Sequence, residues 1–314
     1  MKIKKVILCG LGAVGLTYAN KFKNICELKI LANLERIERY KKNPPMLNGE
    51  KIELEYISPD NIFTPDLIII TTKNDGLNSA IEYIKNFVGK DTIIISLLNG
   101  ITSEEKIAEA YGWDKVLHSY FIGHSAMREG NNVTQDGVGK IFFGSPYKEN
   151  QKKVQTLKEF FEEGNIDYEI PEDILYSLIL KYTFNTFANQ LSAINRITFG
   201  EMKGEKFENM ARAVIREVKV VLEAGGKLNN LDNLEEDALN CLKIMTPEGK
   251  TSMLQDIEAG RKTEVDIFSG EIIKRGKKYK IPTPCNQMLY DMIKIIENSY
   301  SAVSADVSVA AGTV

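Results

Sequence analysis

Three groups of residues in this sequence have the types and spacing to do chemistry. The first is Gly10-Leu11-Gly12-Ala13-Val14-Gly15, a G-x-G-x-x-G run between the apolar stretch Val6-Ile7-Leu8-Cys9 and a helix-like segment from Leu16 to Phe22. In that pattern the first glycine makes a tight turn, the second lets backbone approach a pyrophosphate, and the third lets helix pack closely on strand. N–H groups at the helix start then face a phosphate, where the helix dipole also favours negative charge. The second group is Lys181, Asn185 and Asn189, which share one helix face because residues four apart lie one above the other. Their neighbours Leu178, Ile179, Phe184, Phe187 and Leu191 have the composition of a buried helix, and an unpaired buried ammonium is costly. The stripe therefore faces partners or water. The third group is Ser252 and Glu264, either side of a corner that Gly260 permits, within Thr251-Ser252-Met253-Leu254-Gln255-Asp256 and Thr263-Glu264-Val265-Asp266.

The elements that position these groups change character along the chain. Glu27 to Ala32 reads as a second strand, ending at Asn33, where NAD enzymes usually place an acid for the adenosine ribose and NADP enzymes need a cation. Asn33 is neutral; Glu35 follows, then Arg36 and Arg39, which are either solvated helix charges or a clamp for a 2′-phosphate. Asn48-Gly49 between alternating residues predicts a hairpin within 46–57. Leu67 to Thr71 and Thr92 to Ser96 read as buried parallel strands. Ligands of an open parallel sheet lie outside the carboxyl ends of its strands, so Lys73 and Asn99 fall at the mouth of the crevice that holds the glycine turn. Strands at 116–122 and 140–143 flank the turn-rich Arg128 to Asn132. His118 reads as a sheet histidine, and His124 as a residue of the cleft but not a proton donor. A helix at 150–163 and a strand at 166–170 close the first domain before Pro171. Beyond it the period becomes helical, with segments at 172–195, 205–224, 232–244, 248–259, 262–279 and 285–298. The tail from Ser301 to Val314 is small and apolar, an ordered extension or a frayed end.

These patterns predict an α/β protein: a Rossmann-type doubly wound sheet over 1–170 and an all-helical substrate domain over 171–314, with the active site between them. The 314 residues suit two cores. A formal charge of -3, from 40 basic and 43 acidic side chains, gives no large field for nucleic acid or an anionic membrane, so the expected partner is a small molecule. The chain is expected to run straight into its first strand without a signal peptide, and no apolar run approaches the roughly twenty residues that span a bilayer. Four scattered cysteines without metal-like spacing read as reduced, mostly buried thiols of a cytoplasmic protein. With two histidines, a His-based metal site or triad has little material, and no metal is expected.

Taken in order, the glycine run, Lys73, Asn99-Gly100, Lys181-x-x-x-Asn185-x-x-x-Asn189 and the Ser252 to Asp266 block resemble the ketopantoate reductase (2-dehydropantoate 2-reductase) family, over essentially the whole chain. The resemblance implies NADPH-dependent reduction of 2-dehydropantoate to pantoate, on the way to pantothenate. It makes Lys181 the general acid, Asn185 and Asn189 ligands of the substrate's polar oxygens, and Ser252 the partner of its carboxylate. Glu264 would stand at the junction of cofactor and substrate, with Lys73 and Asn99 lining the cleft. Gly10 to Gly15, Asn33 and Arg36 would complete the cofactor site. The family usually carries an arginine where this chain has Asn33, which leaves Arg36 as the nearest replacement and NADH as the alternative cofactor. A reductase of another 2-oxo acid, a 3-hydroxyacid dehydrogenase and a non-catalytic NAD(P)-binding regulator are the rival readings. The helical half offers a surface for a homodimer.

Overall fold

The computed structural model describes residues 2–310 apart from 124, 125, 136, 138 and 227–230. Its first half alternates strands and helices. β1 (Lys5–Cys9) leads through the glycine turn into α1 (Ala13–Phe22), then β2 (Glu27–Leu31) and α2 (Leu34–Lys42). The Asn48-Gly49 hairpin forms between β3 (Met46–Leu47) and β4 (Glu50–Lys51), with φ of 51° and 83° at its two turn residues, the left-handed pair that such a tight turn requires. β5 (Tyr56–Ile57), β6 (Leu67–Ile70), α3 (Leu77–Tyr83), β7 (Ile93–Ser96), α4 (Ser103–Tyr111) and β8 (Val116–Ile122) follow. The stretch read as turn-rich between strands is itself a hairpin, β9 (Ala126–Glu129) and β10 (Asn132–Gln135), with Gly130 at φ 60° in its turn. β11 (Lys140–Gly144), α5 (Gln151–Glu163) and β12 (Tyr168–Glu169) complete the series.

Eight strands form one sheet in the order β12-β11-β8-β7-β6-β1-β2-β5, parallel except where β11 runs antiparallel to β8. Period-two alternation sorts its side chains. Val6 and Leu8, Leu67 and Ile69, Ile93 and Ile95 enter the core shared with α1 and α5, while Ile7, Ile68, Ile70 and Ile94 enter the core beneath α3 and α4. A sheet buried on both faces reads as continuous Ile/Leu runs for this reason. A second sheet, β4-β3-β10-β9, joins the predicted hairpin to the unpredicted one, and its Leu47 and Val133 enter the α1 side of the core.

The second half is helical: α6 (Ile174–Asn195), α7 (Glu205–Ala224), α8 (Leu234–Asn240), α9 (Ser252–Glu258), α10 (Ser269–Tyr279) and α11 (Pro284–Ala310). Three segments are shorter than their periodicity predicts: the one at 232–244 is α-helical only from Leu234 to Asn240 and ends in a 3₁₀ turn at Cys241–Ile244. The segment at 248–259 becomes helical only at Ser252, because Gly249 is held in a loop by bonds to Thr246 and Phe199. The segment at 262–279 breaks at Phe268, after a 3₁₀ turn at Val265–Ile267. The compact units divide inside α6, at 1–178 and 179–314. The tail from Ser301 continues α11 as far as Ala310, and 311–314 lie outside the described residues. All four cysteines are free, but only Cys9 is buried; Cys26, Cys241 and Cys285 are half-buried, fewer buried thiols than composition led us to expect.

Candidate active site

In the first unit the site begins with the turn after β1. Gly10 has φ +105°, and a Cβ there would stand 2.8 Å from the Thr71 carbonyl carbon and the Thr72 nitrogen. A Cβ on Gly15 would stand 2.1 Å from the Gly10 carbonyl oxygen. Both glycines are thus required by the chain's own packing. Thr71, at the end of β6, braces the turn by donating its hydroxyl to the Gly10 carbonyl at 2.8 Å. Gly12 differs: a Cβ there would meet nothing nearer than the Thr71 oxygen at 4.0 Å. Gly12 is also the N-cap of α1, with no capping side chain and no acid in the first turn, so the leading N–H groups of that helix have no side-chain cap among the described residues. Beside the turn, burial pushes the Cys9 thiol up to about 12, which keeps it protonated and inert.

The turn opens on a cleft of about 810 Å³ lined by Gly10, Leu11, Arg36, Arg39, Lys73 and Arg128 among others. A narrower recess of about 260 Å³ holds Asn33 with Gly10, Arg36 and Thr72. Asn33 caps α2, its side-chain oxygen accepting the Arg36 N–H at 2.9 Å. The Thr72 hydroxyl oxygen is buried without a hydrogen-bond partner among the described residues, and Thr72 itself lines both spaces. Asn99 follows β7, half-buried, and lines neither space. Behind it lies a buried polar cluster that sequence reasoning missed. Glu104 accepts from the Ser103 hydroxyl at 2.8 Å and the Ser119 N–H at 3.3 Å; Ser103 accepts from Ser96 at 2.9 Å, and Ser119 donates to the Ser96 carbonyl at 2.9 Å. Desolvation raises the Glu104 carboxyl from 4.5 to about 7. His118 is buried in β8 and stacks on Trp113 at 4.9 Å between ring centroids. His124 lies outside the described residues.

In the second unit α6 carries the polar stripe. Lys181 and Asn185 are half-buried and Asn189 is 4% exposed, and the two asparagine amides make no hydrogen bond among the described residues. The helix is held in register by groups on its other faces. Tyr182 donates its hydroxyl to the Phe268 carbonyl at 2.8 Å. Gln190 starts a buried chain through Ser269 and Asn286 to Glu217, each step 2.8 Å, which ties α6 to α10, α11 and α7.

Ser252 is exposed as the first residue of α9, and the cap is supplied by buried Thr251, whose hydroxyl accepts the Leu254 N–H at 3.1 Å. In the second block Thr263 donates both its N–H and its hydroxyl to Glu297 at 2.7 Å, and Asp266 accepts from Tyr290 at 2.9 Å and Lys294 at 3.1 Å. These bonds to α11 fix the corner that breaks the predicted helix. Glu264 stands half-buried between the two anchors. Thr251, Thr263 and Asp266 are therefore structural members of the blocks that carry Ser252 and Glu264. Among the described residues no helix is long and apolar enough to cross a membrane, and no cluster could hold a metal ion.

Residues 6–147 match the family description "Ketopantoate reductase PanE/ApbA" and residues 173–297 match its "C terminal" counterpart. A 2-dehydropantoate 2-reductase of Pyrococcus horikoshii is 29% identical over 300 residues, covering 94% of this chain and 98% of that protein. The corresponding enzyme of Aquifex aeolicus is 28% identical over 313 residues, covering 94% and 97%. A solved D-mandelate dehydrogenase with NADH and anilino(oxo)acetate superposes with a TM-score of 0.81 at 25% identity, covering 95% of this chain and 99% of that one. With both matched segments together taking in most of its length, the chain belongs to the ketopantoate reductase family of oxidoreductases.

Proposed function

We propose that the protein reduces a 2-oxo acid, 2-dehydropantoate, to the 2-hydroxy acid with NADPH. The observation that carries this reading is the cleft beside Gly10, where, among the described residues, four cations, Arg36, Arg39, Lys73 and Arg128, gather with the carboxylate of Asp75. Such a collection in a chain of formal charge -3 suits a polyanion, and the open space at Gly12 together with the orphaned Thr72 hydroxyl suits a dinucleotide's phosphates and sugars. A reduced nicotinamide, when bound, supplies the hydride that goes to the ketone carbon. The chain's own part is to orient and to move a proton. The Lys181 ammonium polarises the ketone oxygen and protonates it as charge develops there. The Asn185 and Asn189 amides, without partners among the described residues, take the substrate's other oxygens, and the Ser252 hydroxyl takes its carboxylate. Glu264 orients cofactor and substrate, with Asn99 and Lys73 as further ligands. Uncharged Asn33 and nearby Arg36 favour the 2′-phosphate of NADPH.

A second reading has one specific observation behind it. The similar D-mandelate dehydrogenase was solved with NADH, and Asn33 lacks the charge that would distinguish the two cofactors. An NADH-dependent reductase of an aryl 2-oxo acid is that alternative.

Nicotinamide absorbance followed with 2-dehydropantoate and a panel of other 2-oxo and 3-oxo acids separates the readings. We expect the highest kcat/KM for 2-dehydropantoate with NADPH. Arg36→Ala should lower use of NADPH by about tenfold to a hundredfold, the worth of one charge-assisted bond, and spare NADH. Equal or better use of NADH by the wild type, or a faster aryl substrate, favours the alternative. Cofactor binding without turnover of any acid makes the protein a regulator.

A further inference from the structure

We propose that Arg128, delivered by the β9–β10 hairpin, is a ligand of the cofactor's diphosphate, common to NADPH and NADH; this rests on the reading that the first unit binds a nicotinamide dinucleotide. Nothing local in the sequence points to it, since Arg128 is 117 residues from the turn it touches. Its Nη1 donates to the Leu11 carbonyl at 2.6 Å and its Nε to the Gly130 carbonyl at 3.0 Å. Leu11 lies between the first two glycines, so the guanidinium stands at the turn itself, in the wall of the same cleft.

The hairpin is held there from several sides. Val133, the register partner of Arg128, is fully buried in the core, β10 pairs with β3, Gln135 bonds Thr17 of α1, and the Gln135 N–H donates to Asn48 at 2.9 Å. A fixed support makes the arginine a preorganised group rather than a roaming surface charge. A guanidinium has five N–H donors in a planar fork. The two bonds to carbonyls leave donors over, and among the described residues no carboxylate pairs with this one. A planar cation with spare donors beside a glycine turn is suited to two phosphate oxygens at once.

Position within the cleft assigns the phosphate. Arg36 and Arg39 lie on α2, past the end of β2, where the adenosine ribose of a bound dinucleotide falls. Arg128 lies at the glycine turn, where the diphosphate falls. Only the first pair senses the 2′-phosphate, so Arg128 contributes affinity without preference.

Fluorescence titration of NADPH and NADH into wild type, Arg128→Gln and Arg128→Lys tests the assignment. Glutamine can keep a hydrogen bond to the Leu11 carbonyl but not the charge. We expect Arg128→Gln to weaken both cofactors by a similar factor, about tenfold to a hundredfold, with their ratio unchanged. Arg128→Lys should recover part of that loss, and the melting temperature of the ligand-free proteins should stay the same. Wild-type affinity in the glutamine variant would show that Arg128 only staples the hairpin to the turn and would overturn the proposal. A loss confined to NADPH, or no recovery with lysine, would overturn it as well. Failure of the wild type to bind either cofactor would instead remove the underlying reading.

Discussion

The glycine turn of the first unit and the polar face of α6 in the second are built by opposite means. At the turn the determinants are backbone and missing atoms. Gly10 and Gly15 are fixed by contacts of 2.8 and 2.1 Å that a Cβ could not survive, and α1 starts after Gly12 without a side-chain cap among the described residues. On α6 the determinants are side chains, a lysine and two asparagines on one face. Their positions depend on what holds the helix's other faces: Tyr182 on the Phe268 carbonyl, and the relay from Gln190 to Glu217. A backbone site can be changed only by disturbing the fold or filling its space, whereas a side-chain site can be emptied while the helix stands.

Lys181→Ala gives the sharpest form of that contrast. If Lys181 is the general acid proposed above, its loss should lower kcat by about 10² to 10⁴-fold while dinucleotide affinity at the turn survives. Lys181→Arg should not restore the rate, because guanidinium keeps its proton at working pH. Steady-state kinetics beside a fluorescence titration check both, and a Lys181→Ala enzyme within about fivefold of wild type would move the proton donor elsewhere.

The contrast is not complete, because the first unit also contains a buried side-chain cluster, at Glu104. A carboxyl raised from 4.5 to about 7 binds its proton more tightly in the folded chain. Its contribution is therefore fully present below pH 4.5 and is lost as pH rises through 7. For a fully buried group that is of order 3 kcal/mol across the window. Urea unfolding of wild type and Glu104→Gln at pH 5 and pH 8 should show the wild type losing more stability at the higher pH. Parallel behaviour of the two proteins would mean that Glu104 is ionised throughout.

Gly12→Ala against Gly15→Ala divides the turn itself. Gly15→Ala forces a methyl into backbone and should destabilise the ligand-free protein by about 1–3 kcal/mol. Gly12→Ala meets open space at an ordinary φ of -73°, so it should leave the melting temperature alone and weaken only the dinucleotide. A Gly12→Ala protein that melts early would show that this glycine, too, serves the fold.

The sequence by itself determined whatever depends on near neighbours. The alternation of Ile and Leu in β1, β6 and β7 specified a sheet buried on both faces, Asn48-Gly49 specified its hairpin, and the spacing of Lys181, Asn185 and Asn189 specified a shared helix face. The glycine run was legible for the same reason, since a turn between strand and helix is a local object. Tertiary structure alone decided the rest. The bond from Arg128 to Leu11, the brace from Thr71 to Gly10 and the bond from Ser119 to Glu104 each join residues from different elements of the chain. No periodicity records such a meeting. The break at Phe268 has the same origin: local pattern favours a continuous helix from 262, but the bonds of Thr263 and Asp266 to α11 satisfy those polar groups only if the chain turns there. Hydrogen bonds and steric contacts act over a few ångströms whatever the separation along the chain, so a sequence shows them only where it places both partners side by side.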